Sequence, residues 1–300
     1  MAHNHVRDAA RRLGDPSVPM GERYRALFFL RGGGDVCVNH IGRCMLGETD
    51  NLLKHDEAFC LGQMGRPSAI PFLVQTLENL QDDSMVRHEA GEALGAIGND
   101  GAEVIETLER FRQDPEPVVA QTCELALQRI SYVNNKGMGD GQAHTNSPYA
   151  SIDPTPVSNE CDVKKLESIL LNTEETIWER YRAMFSLRNI NTPESIVALA
   201  RGLECEDSAL LRHEVAYVLG QLQNPVAIPQ LETTLANLEE RGMVRHECAE
   251  ALGAIATPEA ANILRRFVND REAVVRTSCV VALDMVDHEE SGDFQYARHN

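Results

Sequence analysis

Apolar residues recur at helical spacing through most of the chain and predict a series of short amphipathic helices. At about 100° per residue, Val86, Ala90, Leu94 and Ile97 fall on one stripe of the segment 84–97, which we expect to be buried. Comparable segments are predicted to form the second helix of each helix pair in the first half. They cover 20–31, 51–64, 84–97 and 116–130, and a polar stretch precedes the first of them.

The helical pattern repeats with a period near 33 residues, and the two halves of the chain resemble one another. ERYRALFFLR at 22–31 reappears as ERYRAMFSLR at 179–188, and VVAQTCELAL at 118–127 reappears as VVRTSCVVAL at 274–283. Two helices per repeat at this period are typical of an α-solenoid, whose units bury their apolar faces only by stacking on neighbours. We therefore predict an all-α fold of eight helix pairs in two pseudo-symmetric halves that face each other.

Composition marks the boundary between the halves. Residues 134–160 lose the helical periodicity and are rich in Gly, Pro, Ser and Asn, which favours a flexible linker. The predicted organisation is a first half at 1–133 with four repeats, a linker at 134–160, a second half at 161–287 with four repeats, and a polar tail at 288–300.

A histidine followed by an acid stands at the same point of the two central repeats in each half. The pairs are His55-Asp56, His88-Glu89, His213-Glu214 and His246-Glu247. The histidines of each half are 33 residues apart, and a basic residue precedes each one: Lys54, Arg87, Arg212 and Arg245. Since these basic side chains point roughly 100° away from the histidine, we expect them to form salt bridges to neighbouring repeats.

The outer repeats lack the histidine–acid pair, although they share the helical pattern. Tyr24 and Tyr181 stand in the corresponding region of the first repeats, and Val119 and Val275 in that of the last. A residue pair with only a packing role would be expected in the outer repeats as well as in the central ones. The pairs therefore predict a metal site built from nitrogen and oxygen ligands. Such ligands suit iron, manganese or zinc, and the residues alone leave open a redox di-iron centre or a hydrolytic di-zinc centre.

A glycine follows each histidine by seven residues, on the same helical face. The four are Gly62, Gly95, Gly220 and Gly253. They either leave room for an ion or a substrate, or they let neighbouring helices pack closely.

The four motifs, with their K/R-H-E and L-G-Q or L-G-A flanks, resemble those of the deoxyhypusine hydroxylases, a family of HEAT-repeat di-iron monooxygenases. The resemblance covers residues 20 to 286 and implies eight HEAT-like pairs around a di-metal cleft. It implies oxygen-dependent hydroxylation of deoxyhypusine in translation factor 5A, with two iron ions (Fe²⁺/Fe³⁺) as cofactor and molecular oxygen as co-substrate. By motif position, one iron would be held by His55, His88 and Glu89, and the other by His213, His246 and Glu247. Asp56 and Glu214 would support the metal ligands or bind the substrate amine, and no nucleophile is implied.

The first motif departs from the family's His-Glu pair, because this chain reads His55-Asp56-Glu57. Asp56 is one methylene shorter than glutamate. The equivalents of Glu57 are the apolar stripe residues Ala90, Val215 and Cys248. Either the helix is locally rotated and Glu57 is the acid of this motif, or Glu57 reaches solvent from the first turn, which we expect.

The net charge and the absence of long apolar segments limit the kinds of binding partner and the cellular location that we expect. The net charge of −18 favours a cationic substrate or a basic protein over nucleic acid. With neither a signal peptide nor a run of about 18 apolar residues, we expect a cytoplasmic monomer without a membrane partner. Three other functions stay open: a non-catalytic HEAT scaffold that binds a basic protein, a bilin lyase, and a di-zinc hydrolase.

Overall fold

The computed structural model describes residues 2–135 and 147–291, and these residues form helices joined by loops, with a longer non-helical segment at 147–162. The first part contains α1 (Ala2–Leu13), α2 (Met20–Arg31), α3 (Asp35–Gly47), α4 (Asn51–Met64), α5 (Ile70–Glu78), α6 (Ser84–Ile97), α7 (Ala102–Phe111) and α8 (Pro117–Asn135). The second contains α9 (Val163–Leu171), α10 (Ile177–Ile190), α11 (Pro193–Ala200), α12 (Ala209–Leu222), α13 (Ile228–Ala236), α14 (Gly242–Ile255), α15 (Pro258–Arg265) and α16 (Ala273–Ser291). Among the helices so described, none is both long and apolar enough to cross a membrane.

The helices form eight successive pairs, and the predicted all-α solenoid is confirmed. Second helices stack on second helices, as in α4 on α6 and α12 on α14, while first helices such as α3 and α5 contact each other. The polar stretch at the amino terminus is helical and belongs to the first pair. It forms α1, which packs on α2 and buries Leu13 completely, so it is the first helix of the first pair.

The described residues divide into two compact units, one up to residue 135 and one from residue 147. Each unit contains four helix pairs. The second helices 20–31, 51–64 and 84–97 end where the sequence predicted, and α8 extends the fourth to residue 135. Residues 136–146 and 292–300, which include parts of the predicted linker and tail, lie outside the described residues.

Residues 147–160 belonged to the predicted flexible linker, but they are anchored on the second unit. Arg188, fully buried in α10, pairs with Asp153 through two hydrogen bonds of 3.0 and 2.6 Å, and Asp153 is itself buried. The backbone N–H of Ser158 donates to Ser186 Oγ at 2.8 Å. A buried bidentate ion pair fixes this segment in a way that composition could not indicate.

The four glycines that follow the histidines mark close contacts between stacked second helices. A Cβ atom on Gly62 would lie 2.7 Å from the Cα atom of Ala93, and one on Gly253 would lie 2.6 Å from the Cβ atom of Ala282. Gly95 meets Ala126 and Gly220 meets Ala251 in the same way. Of the two interpretations of these glycines, close helix packing is therefore right, and room for an ion or a substrate is wrong.

The basic residue before each histidine forms a salt bridge to the loop of a neighbouring pair, as expected. The four bridges are Lys54–Asp82 at 2.7 Å, Arg87–Asp114 at 2.5 Å, Arg212–Glu240 at 2.6 Å and Arg245–Asp270 at 2.5 Å. Arg87 and Arg245 also donate through Nε to a backbone carbonyl ten residues earlier, at the end of the preceding helix. These contacts hold the amino-terminal turn of each histidine-bearing helix against its neighbours.

Two glycines in α6 give a matched test of the packing. Gly95→Ala should destabilise the protein by about 1–3 kcal/mol, because the new Cβ would overlap Ala126 and force the helices apart. Gly91→Ala should stabilise it by about 0.5–1 kcal/mol, because its Cβ would meet Thr122 and Cys123 at 3.4 and 3.5 Å and alanine is the better helix former. Thermal unfolding of both variants measures the difference, and equal shifts would contradict the close contact.

Candidate metal centre

In the first unit, α4 and α6 bring two histidines and a carboxylate together. His55 Nε2 lies 3.2 Å from Glu89 Oε2, and the rings of His55 and His88 are 5.7 Å apart between centroids. Ligand atoms of His55, His88 and Glu89 all lie within 4.8 Å of one another, and the three residues are buried. These are the three side chains that the resemblance assigns to one iron.

Asp56 lies against its own histidine. Its Oδ1 is 2.8 Å from His55 Nδ1, and because an ionised carboxylate only accepts hydrogen bonds, Nδ1 carries the proton. His55 therefore presents Nε2 to Glu89. This arrangement, in which a carboxylate orients an imidazole from behind, is common around metal-binding histidines.

The electrostatics of this cluster favour a positive charge. Burial alone would lower the pKa of His55, but hydrogen bonds to Asp56 and Glu89 and the attraction of both carboxylates raise the pKa well above its usual value. The carboxylates on either side of the imidazole therefore favour a positive charge at this position. A divalent cation at Nε2 would satisfy the same negative charges, so the side chains present fit a metal ion.

The second unit repeats this contact between α12 and α14. His213 Nε2 lies 3.4 Å from Glu247 Oε2, and the rings of His213 and His246 are 5.4 Å apart. All three residues are buried, as is Glu214. The same histidine-to-glutamate contact thus joins neighbouring second helices in both units.

Glu250 is a candidate ligand or supporting residue that the sequence analysis missed. Ligand atoms of His246, Glu247 and Glu250 lie within 4.8 Å of one another. The sequence offers one indication of this residue, because in two of the four motifs an acid follows the histidine by four residues. These acids are Glu92 and Glu250, whereas Phe59 and Tyr217 occupy the same position in the other two motifs.

Glu57 is completely buried, so the expectation that it reaches solvent is wrong. Neither carboxylate oxygen has a hydrogen-bond partner among the described residues. Burial, followed by repulsion from Glu48, raises the pKa of Glu57 well above its usual value. The side chain stays on the stripe occupied by Ala90, Val215 and Cys248, because packing around α4 fixes the helix register regardless of this one polar residue.

Comparisons with known proteins agree with the repeat architecture. Residues 44–128 match the family model described as HEAT repeats. Residues 179–205, 211–237 and 244–270 match the model described as PBS lyase HEAT-like repeat. The two models describe the helix pairs of the two halves.

Full-length relatives identify the family. The deoxyhypusine hydroxylase of Rattus norvegicus is 49% identical over 298 residues, which cover 99% of this chain and 96% of the rat protein. That of Homo sapiens is 51% identical over 286 residues, which cover 95% of this chain and 92% of the human protein.

The chain belongs to the deoxyhypusine hydroxylase family.

A solved structure of human deoxyhypusine hydroxylase in complex with glycerol superposes with a TM-score of 0.89 at 49% identity, covering 95% of this chain and 96% of that chain. Membership of the deoxyhypusine hydroxylases confirms the resemblance that the four motifs indicated. The structure agrees with the duplication seen in the sequence, since each unit has a cluster of buried imidazole and carboxylate groups from two adjacent helices.

The buried carboxyl of Glu57 should make the stability of the protein depend on pH. Glu57→Val, which copies Val215 of the equivalent repeat, should stabilise the protein by about 1–3 kcal/mol at neutral pH by removing a buried polar group that lacks a partner. Because folding raises the pKa of Glu57, its contribution is most favourable below the usual value of 4.5 and is lost as the pH rises from there towards the folded-state pKa.

The advantage of Glu57→Val should therefore widen with pH over that interval, as measured by melting temperatures in a pH series. Glu57→Gln is the control, since it keeps a polar group but cannot titrate. An advantage that stays constant with pH would show that Glu57 does not change its protonation on folding.

Proposed function

We propose that the protein hydroxylates the deoxyhypusine side chain of translation factor 5A, with two iron ions as cofactor and molecular oxygen as co-substrate. The observation that carries the proposal is the buried histidine-to-glutamate contact between neighbouring second helices, which occurs once in each unit. Family membership supplies the reaction class. In this reaction one oxygen atom of O₂ enters a substrate C–H bond, and the other leaves as water with two electrons and two protons from a reductant.

Each unit would hold one iron. In the first unit we assign the ligands to His55, His88 and Glu89, and in the second unit to His213, His246 and Glu247. Imidazole nitrogen and carboxylate oxygen suit iron, manganese or zinc, and the family's hydroxylation chemistry favours iron among these. When bound, iron supplies the activation of molecular oxygen that no amino-acid side chain provides.

The side chains of the protein would bind and orient the substrate. Deoxyhypusine is a long amine that is positively charged at neutral pH, so buried carboxylates beside the ligands would select it over neutral side chains. We assign this role to Glu214, which is buried at the motif position next to His213. Asp56 is already hydrogen-bonded to His55 and therefore supports the ligand instead.

The surface charge is consistent with a protein substrate of opposite charge. A net charge of −18 would attract a basic segment of translation factor 5A and speed its association, more strongly at low ionic strength. We infer a cytoplasmic monomer that binds this factor and neither nucleic acid nor membrane. A HEAT scaffold that binds a basic protein is the alternative function, and it would not need the histidines.

Removal of one histidine separates the two functions. His88→Ala should lower the iron content by about one ion per chain and reduce hydroxylation by more than about 100-fold. Loss of a metal ligand should reduce activity more than loss of a residue that only hydrogen-bonds to a ligand, which typically costs about 10–100-fold. Hydroxylation is measured by mass spectrometry as the gain of one oxygen atom on the deoxyhypusine-bearing factor.

The control is His40→Ala, a histidine on α3 outside the three-residue cluster, which should keep both iron and activity. Unchanged iron and activity in His88→Ala would contradict the proposed site. Retained binding of the factor, without turnover in either the wild type or the variant after loading with iron, would favour the scaffold.

Metal removal should also destabilise the fold. A ligand that binds only the folded state stabilises it by about 2.7 kcal/mol when its free concentration is 100 times its dissociation constant. Protein stripped by a chelator should therefore melt at a lower temperature than iron-loaded protein, and added Fe²⁺ under anaerobic conditions should restore the difference. An unchanged melting temperature, with metal removal verified by elemental analysis, would exclude a metal bound to the folded state.

A further inference from the structure

Glu250 contacts the histidine one turn before it in α14. Its Oε1 lies 3.3 Å from His246 Nδ1. The histidine side chain is fully buried and the glutamate side chain is 30% exposed. Since an ionised carboxylate only accepts hydrogen bonds, Nδ1 is the donor and Nε2 is the nitrogen left to face another group.

A residue of the next helix holds Glu250 in place. Ser278 Oγ in α16 donates to the same Oε1 at 3.3 Å, and Ser278 is completely buried. Ser278 precedes Ala282, the contact of Gly253, by four residues, just as Glu247 precedes Ala251, the contact of Gly220. At the position where α14 carries a proposed metal ligand, α16 thus carries a hydroxyl that fixes Glu250.

His55 and His246 are oriented by the same chemistry from different positions. Asp56, the next residue in the chain, accepts a hydrogen bond from Nδ1 of His55, and Glu250, one turn further along, accepts one from Nδ1 of His246. The carboxylate-to-imidazole contact therefore recurs in both units, on histidines that stand in different repeats. A recurrence at unrelated sequence positions is better explained by a requirement on the imidazole than by inheritance of one repeat residue.

We propose that Glu250 is a positioning residue that holds His246 by Nδ1 so that Nε2 is the atom presented to the metal. The inference rests on the metal site of the proposed function. A metal-binding imidazole must offer one unprotonated nitrogen in the correct rotation, and an outer carboxylate bonded to the far nitrogen fixes both the tautomer and the rotation. Glu250 also stands close enough to the ligand atoms to bind metal directly, so the experiment must separate positioning from ligation.

Co²⁺ is the probe, titrated into metal-depleted full-length protein under anaerobic conditions. Affinity for each bound ion is measured by calorimetry, and the ligand set is measured by the visible absorption of the saturated protein. Glu250→Ala should weaken one of two sites by about 10–100-fold and leave the spectrum at saturation unchanged. Glu250→Gln keeps an acceptor oxygen for Nδ1 and should recover most of the affinity, and Ser278→Ala should weaken the same site less than Glu250→Ala does.

Glu259→Ala removes one negative charge at an exposed position of α15 and should leave both affinities unchanged. Unaltered Co²⁺ affinity in Glu250→Ala would overturn the inference. Equal losses in Glu250→Gln and Glu250→Ala, or a changed spectrum at saturation, would also overturn it by making Glu250 a ligand or a simple source of charge. If the wild-type protein binds no Co²⁺, the proposed metal site fails first, and this result is distinct from a failure at Glu250 alone.

Discussion

The spacing between stacked second helices sets the geometry of the candidate site. Gly62 and His55 lie two turns apart on the same face of α4, and both face α6, where Gly62 meets Ala93 and His55 meets Glu89. In the second unit, Gly220 meets Ala251 and His213 meets Glu247. Glu89 precedes Ala93 by one turn, and Glu247 precedes Ala251 by one turn. The close contact between glycine and alanine therefore sets the distance between histidine and glutamate on the same two helices. A larger residue at the glycine would move the histidine away from the carboxylate.

The salt bridges ahead of the histidines keep positive charge away from the cluster. Arg87 and Arg245 are buried beside His88 and His246, yet their guanidinium groups point to Asp114 and Asp270 in the following loops. Burying an arginine requires a well-matched partner, and a loop carboxylate with a backbone carbonyl provides one. The carboxylates of the motifs thus remain available to a metal or a cationic substrate.

The first motif shows how one substitution changes a shared arrangement. With one methylene less than glutamate, Asp56 remains beside His55 and fixes its Nδ1 proton. Glu57, the next residue, is placed by the helix on a face that its chemistry does not suit. A buried carboxyl with a raised pKa persists because the apolar contacts of α4 outweigh this single unfavourable group.

The repeat, the helix pairs and the family could be predicted from the amino-acid sequence, because they depend on periodicity and on residue type at equivalent positions, and the proposed ligands were selected on the same grounds. The sequence also indicated that Lys54, Arg87, Arg212 and Arg245 would form salt bridges, since helical geometry turns them away from the histidines. These properties are local or recur with the repeat period, so they can be predicted from the linear sequence.

Contacts between elements that are distant in sequence could be read only from the three-dimensional structure. The structure placed Asp153 against Arg188 and so anchored residues that composition assigned to a flexible linker. It buried Glu57, packed the glycines against alanines of the next helix, and brought Ser278 to Glu250. Each of these outcomes depends on side-chain contacts across helices, and such contacts are set by the distance and rotation of neighbouring helices, which no periodicity along the chain specifies.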